Sequence, residues 1–249
     1  MPTCIPQIEA LHAKAVRVEK NGVVVLADGR AARLEGILLP AGASDHAPQF
    51  LANQAISALD NLVSDHLVSL AAAAPKEDRY GRIRAQVLAQ KNGDEIWLQW
   101  VLLHKGLARV AIPPDRNECA EELYAAEAEA RRARTGLWSS RAYAVRTPSQ
   151  TDGDVGTFQI VEGTVTSVSK SAGRVFLDFG SQPDSDFAAT ISSDDMKRFR
   201  EIGVDPFAYA DQTVRVRGFV ERIHDRPEIE VATPAQVEIV QPALHAAAP

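Results

Sequence analysis

The stretch RLEGILLPAG, residues 33–42, places a basic residue and a proline around a short apolar run, where a strand should end and a loop begin. This pattern is typical of the rim of an active site, yet the only carboxylate of the stretch is Glu35. Because side chains alternate along a strand, Glu35 lies on the same face as Arg33 and could pair with it. Asp45, in the following loop, is the best candidate for a displaced acid, although a solvated loop acid or a helix N-cap is the more common role. The rim keeps a group suited to anions but lacks the clustered acids of a metal site.

A second basic residue, Arg82, ends the hairpin sequence DRYGR. Taken alone, Arg82 is best explained by an ion pair across its hairpin with Glu77 or Asp78, and Arg33 by an ion pair of its own strand. Two arginines on one rim would instead give it affinity for an anion such as a phosphate. The sequence leaves both interpretations open.

A three-stranded meander leads up to the rim, because the dipeptides Asn-Gly and Asp-Gly separate its alternating segments. Hydrophobic periodicity places the later elements. The predicted elements of the first half are strands at 13–18, 23–28 and 30–39, a helix at 50–63, strands at 67–74 and 82–89, and helices at 94–105 and 115–136. Five strands with a helix between the third and the fourth are the order of an OB barrel.

The second half repeats this order. Its predicted elements are strands at 158–169, 174–180 and 186–192, a helix at 192–203, and strands at 214–223 and 227–233. Phe176, Phe179 and Phe187 lie on these strands, where a nucleic-acid-binding OB fold would place stacking aromatics. Since this half is acidic, roles in the core or at a partner interface are the preferred interpretation.

The fold class is therefore mainly β with helices (α+β), in the form of two five-stranded OB barrels in tandem. A segment rich in Ser, Thr, Asp, Gly and Pro separates the barrels and is predicted to be a linker. The predicted boundaries are an N-terminal extension at 1–13, a first barrel at 14–140, a linker at 141–156, a second barrel at 157–240 and a disordered tail at 241–249.

The net charge of −6 is unevenly distributed. Residues 1–150 carry 18 basic and 17 acidic side chains, whereas residues 151–249 carry 9 and 16. Neither half has the basic excess of a protein that coats nucleic acid, so charge disfavours a nucleic-acid partner, although a local basic groove is compatible with a neutral domain. No apolar run is long enough to span a bilayer, so no membrane partner is expected.

The two cysteines, Cys4 and Cys119, are far apart in the sequence and form no CxxC pattern, so no disulfide framework is predicted. The N-terminus has neither a basic segment nor a continuous apolar segment, so no signal peptide is recognised. A cytoplasmic location is the default expectation, and a periplasmic or secreted location is expected if the start is truncated.

Four motifs of the first half occur in the order that is typical of the staphylococcal-nuclease-like (thermonuclease) family: ADGRAARLEGI, EDRYGRIRAQV, VLLHKGLARVAI and LYAAEAEARRARTGLW. Residues 14–140 resemble this family, and DRYGR, KGLARV and the closing GLW are jointly specific. The second half resembles, more loosely, the small OB-like domain that follows such domains in some bacterial proteins. The resemblance implies a barrel carrying a calcium-dependent phosphodiesterase. In that family two aspartates hold Ca²⁺, a glutamate is the candidate general base, and two arginines bind the phosphate.

The family's functional residues are only partly present. Its strand-end pattern, Arg-Leu-x-Gly-Ile-Asp-x-Pro-Glu, places the first phosphate arginine at Arg33, but the metal aspartate at Leu38 and the glutamate at Ala41. The other metal aspartate falls at Gly22, and the second phosphate arginine is Arg82. Both arginines are kept, and all three acids are missing.

The resemblance therefore predicts a thermonuclease-like protein without its metal-binding and base carboxylates. Its leading interpretation is a non-catalytic binding or scaffolding module for a protein or an anionic ligand, with no cofactor. One alternative is an active metal-dependent nuclease with relocated acids, Asp45 among them, which would use Ca²⁺. Another is a non-catalytic nucleic-acid binder that relies on Arg33, Arg82 and the fold.

Overall fold

The computed structural model describes residues 4–5, 11–91, 93–117, 119–182 and 186–240. The chain separates into two compact units, residues 1–143 and 144–249. The predicted disordered tail at 241–249 lies outside the described residues, as does most of the predicted N-terminal extension. Within the described part of the chain, no helix combines the length and the apolar character needed to cross a membrane.

The first unit is a mixture of strands and three helices within its described residues. Its strands are β1 Leu11–Val18, β2 Val24–Leu26, β3 Ala31–Leu34, β4 Ile37–Leu38, β5 Leu67–Ala71, β6 Ile83–Lys91, β7 Asp94–Trp97 and β8 Arg109–Val110. Its α-helices are α1 Gln49–Val63, α2 Leu98–His104 and α3 Ala120–Arg132.

Five of these strands close into a barrel. The order is β3-β2-β1-β5-β6, and the parallel pairing of β3 with β6 closes the ring, with Ala32 opposite Ile83 and Leu34 opposite Ala85. The remaining pairs of the ring are antiparallel. Helix α1 connects the third and the fourth barrel strands, as the OB order predicts. Leu51, Ala55, Leu59 and Val63 recur at helical spacing on α1 and are buried, because this stripe packs into the core.

The predicted helix at 94–105 is replaced by two elements. Residues Asp94–Trp97 form β7 and pair antiparallel with β6, with Lys91 opposite Asp94, and helix α2 begins only at Leu98. Gly93, at a φ of +89°, takes a left-handed conformation in the connecting turn that other residues rarely adopt. The predicted last helix is also shorter than expected, since α3 spans Ala120–Arg132 and a 3-10 turn, Gly136–Ser139, follows it.

The prediction that the cysteines form no disulfide was wrong. Cys4 and Cys119 are bonded, with Cα atoms 5.0 Å apart, at a sequence separation of 115. Cys119 directly precedes α3 and is buried. The bond joins the start of the chain to the last helix of the first unit.

The second unit contains seven strands and one α-helix within its described residues. Its elements are β9 Phe158–Thr164, β10 Ser167–Ser171, β11 Arg174–Asp178, β12 Ala188–Ile191, α4 Asp195–Glu201, β13 Thr213–Ile223, β14 Arg226–Glu230 and β15 Val237–Ile239.

These strands form one sheet with the strand order of an OB fold. The order is β10-β11-β12-β14-β13, and β13 returns to pair antiparallel with β9, which directly precedes β10. The pairing of β12 with β14 is parallel, like that of β3 with β6. Phe179 and Phe187 belong to the buried core, whereas Phe176 is only half-buried.

The segment at 141–156, predicted to be a linker, is largely ordered. A 3-10 helix, Pro148–Asp154, contacts β9 and β14 within the second unit. Arg146 pairs with Asp154 at 2.7 Å, and backbone hydrogen bonds join Arg146 to Ile160 and Glu162 of β9. Residues 144–156 are thus part of the second unit.

Candidate functional site

The candidate site of the first unit lies where β3 and β6 run side by side. Arg33 on β3 stands directly opposite Arg84 on β6 in the parallel register, so both side chains point to the same face of the sheet. Arg82 lies two residues before Arg84 and is therefore on that face as well. We call this surface, carrying Arg33, Arg82 and Arg84, the arginine face.

Arg82 is committed to its own hairpin. Its Nε donates to Asp78 Oδ2 at 2.7 Å, and its guanidinium lies over the ring of Tyr80, 4.8 Å from the ring centre. Burial raises the pKa of Asp78, but hydrogen bonds from Arg82 and from the Tyr80 backbone outweigh burial and leave that pKa below its usual value. This pairing is the ion pair that the sequence offered as the simpler explanation of Arg82.

Glu35 does not pair with Arg33 as expected. Its carboxylate is buried and accepts a hydrogen bond of 2.5 Å from Nε of Arg84, the neighbour across the strand pair. The two terminal nitrogens of Arg84 also bind Asp115, at 2.7 and 2.8 Å. This bidentate pair, together with Glu35, raises the pKa of Arg84, and the same hydrogen bonds lower the pKa of Asp115. The alternation of side chains along the segment RIRA could have placed Arg84 on this face of the sheet. No local sequence pattern identified Asp115 as its partner.

Arg33 has a different environment. It is exposed, and within the described part of the chain no acid lies at ion-pair distance from it. Its register neighbour Arg84 is neutralised by Glu35 and Asp115. Arg33 is therefore a cation that remains accessible to an anion from solution.

The positions to which the resemblance assigns the metal ligands, Gly22 and Leu38, carry no polar side chain. Gly22 has a φ of +80°, and a Cβ added there would lie 2.3 Å from Cδ1 of Leu39 and 3.9 Å from Cδ1 of Ile56. Cδ1 of Leu39 thus lies where a side chain at position 22 would begin. Leu38 lies on β4, where it pairs in register with Arg109 of β8. Neither Gly22 nor Leu38 offers a side-chain oxygen, and hard cations such as Ca²⁺ prefer oxygen ligands.

Asp45 is neither a solvated loop acid nor a helix N-cap. It ends the 3-10 turn Gly42–Asp45 and is 6 % exposed. Its Oδ2 accepts three hydrogen bonds, from the backbone N–H of Ala41 at 2.8 Å, from Arg109 at 2.9 Å and from the Tyr143 hydroxyl at 2.7 Å. The guanidinium of Arg109 also lies over the Tyr143 ring, 4.7 Å from its centre.

The three residues Asp45, Arg109 and Tyr143 form a buried polar network. Burial lowers the pKa of Arg109, although the nearby charge of Asp45 acts to raise it. Burial and the hydrogen bond to Asp45 raise the pKa of the Tyr143 hydroxyl, which keeps it a neutral donor. Sequence reasoning missed this network because its members are separated by 64 and 98 positions and share no local pattern.

Arg33 gives the site an exposed contact for an anion. Among the described residues, no three His, Cys, Asp or Glu side chains are grouped as a metal site would require. What the site presents to solvent is Arg33, beside arginines whose charges are already balanced. Such an arrangement provides a positive contact for an anion.

Comparison with known proteins assigns the first unit. No curated protein matches the chain. The family model described as staphylococcal nuclease homologue matches residues 31–140, from β3 to the 3-10 turn Gly136–Ser139, and therefore includes Arg33, Arg82, Asp45 and the position of Leu38. Together with the closed five-stranded barrel, this match establishes that the chain carries a staphylococcal-nuclease-like domain.

Proposed function

We propose that this staphylococcal-nuclease-like domain is not a catalyst and that the chain works as a binding or scaffolding module. One observation carries the proposal. At Gly22, where the resemblance places a metal-binding aspartate, there is no side-chain oxygen, and Cδ1 of Leu39 lies 2.3 Å from the position that a Cβ would take. An apolar contact at that point disfavours a hydrated cation as well as the carboxylate that would hold it.

Relocated acids do not supply a convincing substitute. Asp45 would have to give up its hydrogen bond to Arg109, whose side chain is only 3 % exposed. Breaking a buried pair in this way costs about 3–5 kcal/mol. Glu35 is bound by Arg84, whose charge Asp115 also balances. The alternative of a working nuclease therefore requires dismantling parts of the structure that stabilise the fold.

The proposed ligand is a protein or an anionic molecule. A specific observation supports the anion, because Arg33 is exposed and no described acid neutralises it. Arg82 contributes less than the family pattern suggests, since Asp78 already occupies its donors. A single free arginine gives weak binding that falls with ionic strength, as expected for a nucleotide or nucleic-acid contact outside a metal site.

A calorimetric titration of the full chain with CaCl₂ tests the absence of the metal site. We expect no saturable heat of binding up to millimolar Ca²⁺, the weak end of protein calcium sites. Saturable binding at lower concentration would contradict the proposal.

Thermal shift measurements with a deoxynucleotide bisphosphate test the anion site. A ligand that binds only the folded protein should raise its melting temperature with concentration. We expect a small rise that is lost in Arg33→Ala and largely kept in Arg82→Ala. If the melting temperatures of wild type and Arg33→Ala depend equally on ligand concentration, Arg33 is not an anion site. The proposed ligand would then be a protein.

A further inference from the structure

The second unit contains a groove that is separate from the site of the first unit. It lies between the β10–β11 turn and the β13–β14 hairpin and has a volume of about 560 Å³. Ser169, Arg174 and Phe176 line it from one side, and Ile223, Arg226 and Glu228 from the other. We call it the hairpin groove.

Both arginines of the hairpin groove are already bound. Arg226 donates from Nε to Glu228 Oε1 at 2.7 Å and from Nη1 to Asp178 Oδ1 at 3.4 Å. Arg174 donates to the Thr190 hydroxyl at 3.3 Å and lies 3.7 Å from a carboxylate oxygen of Glu230. The positive charges of the groove are therefore neutralised from within the unit.

A carboxylate oxygen in the same groove is not bound. Glu228 is 4 % exposed, and one of its oxygens accepts from Arg226. No described residue donates a hydrogen bond to its Oε2, which is buried. Asp178 is also buried, at 5 % exposure, so two buried carboxylates share the single buried guanidinium of Arg226. A buried carboxylate oxygen without a donor is unfavourable, and an N–H donor that brings a positive charge would relieve it.

One face of the aromatic residue of the groove is already covered. The guanidinium of Arg226 lies over the Phe176 ring, 5.1 Å from its centre, and competes there with a stacking base. The charge of this part of the chain also disfavours a nucleic-acid ligand, since residues 151–249 carry 16 acidic and 9 basic side chains. Such a surface attracts basic partners and repels polyanions.

We propose that the hairpin groove is a docking site for a basic segment of a partner protein, with a lysine or arginine side chain entering the groove toward Glu228. The apolar stem of such a side chain would pack against Ile223 and Phe176, which line the groove. Its charged end would supply the donor that Glu228 Oε2 lacks. The inference does not depend on whether the first unit cleaves nucleic acid, because all the residues that carry it lie in the second unit.

Fluorescence anisotropy with the full chain tests the docking site. The probe is a short labelled peptide of alternating lysine and serine, and a glutamate–serine peptide and a single-stranded oligonucleotide serve as counter-probes. We expect Glu228→Gln to weaken binding of the basic peptide about tenfold or more, because it removes a charge-assisted hydrogen bond. Glu201→Gln, which removes one negative charge from the exposed end of α4, should change affinity less than twofold.

Equal losses in Glu228→Gln and Glu201→Gln would mean general charge attraction and would overturn the docking site. Absence of binding to the basic peptide, or tighter binding of the oligonucleotide, would overturn it too. Ser169→Trp fills the groove from an exposed strand position without touching the buried charges, so it decides the matter if Glu228→Gln does not fold. We expect Ser169→Trp to abolish peptide binding, and undiminished binding would refute the proposal.

Discussion

Asp45 offers the sharpest test of whether the acids of the first unit are structural. In Asp45→Ala, the Oδ2 atom that accepts three hydrogen bonds is lost, and Arg109 and Tyr143 remain buried without it. Removing one partner of a buried ion pair costs about 3–5 kcal/mol, because the remaining charge stays buried with less compensation. For a chain of this size, such a loss lowers the melting temperature by roughly 6–20 °C.

The assay is thermal unfolding followed by circular dichroism, with two comparison variants. Tyr143→Phe removes one of the three hydrogen bonds and should cost about 1–2 kcal/mol. Glu129→Ala breaks an exposed pair with His104, at 3.0 Å, and should change stability by less than about 1 kcal/mol. If Asp45→Ala melts within a few degrees of wild type, Asp45 is not held by Arg109. It would then again be available as a relocated metal ligand.

Three further changes have defined outcomes. Gly22→Asp should destabilise the first unit by about 2 kcal/mol or more, because φ is +80° there and Leu39 blocks the new side chain. Adding Leu39→Ala should recover part of the lost free energy of unfolding, measured in urea. No recovery would contradict the steric argument. Reduction of the Cys4–Cys119 bond, or Cys4→Ser, should lower the free energy of unfolding by about 2–4 kcal/mol, since the bond closes a long loop. A melting temperature that dithiothreitol does not change would count against the disulfide. The pKa of Asp115 is lowered in the folded state, so the stabilisation from Asp115 is present above the unfolded pKa near 3.8 and is lost as pH falls through the folded value. Asp115→Asn should therefore be less stable than wild type at neutral pH and lose less stability on acidification. Parallel curves of stability against pH for the two proteins would refute this.

The barrel architecture could be predicted because its signals are local. Strand alternation, the Asn-Gly and Asp-Gly turns and the position of α1 all lie within short stretches of sequence. The ring closes in the structure through β3 and β6, as the order of elements required. Strand β7 was missed because the run IWLQW is apolar at a spacing compatible with either a strand or a helix, and pairing with β6 decided between them.

The partners of the charged residues could not be predicted in the same way. Alternation places Glu35 on the face of Arg33, but it does not say which strand lies alongside. The parallel register of β3 and β6 brings Arg84 next to Glu35, and the ion pair of Glu35 forms with Arg84 instead of Arg33. Cys4 and Cys119 are likewise joined across 115 positions, a distance at which spacing carries no information. Where contacts depend on the closed barrel, sequence patterns identify candidates but not partners.

The proposed lack of catalysis is tested by incubating single-stranded DNA with homogeneous full-length protein and Ca²⁺, Mg²⁺ or Mn²⁺, in parallel with a chelator. We expect no cleavage above the chelator control with any of the three ions, because Gly22, Leu38 and Ala41 stand where the resemblance places the family carboxylates. Arg33→Ala should leave this baseline unchanged. Chelator-sensitive cleavage that copurifies with the protein and is lost in Arg33→Ala would contradict the account.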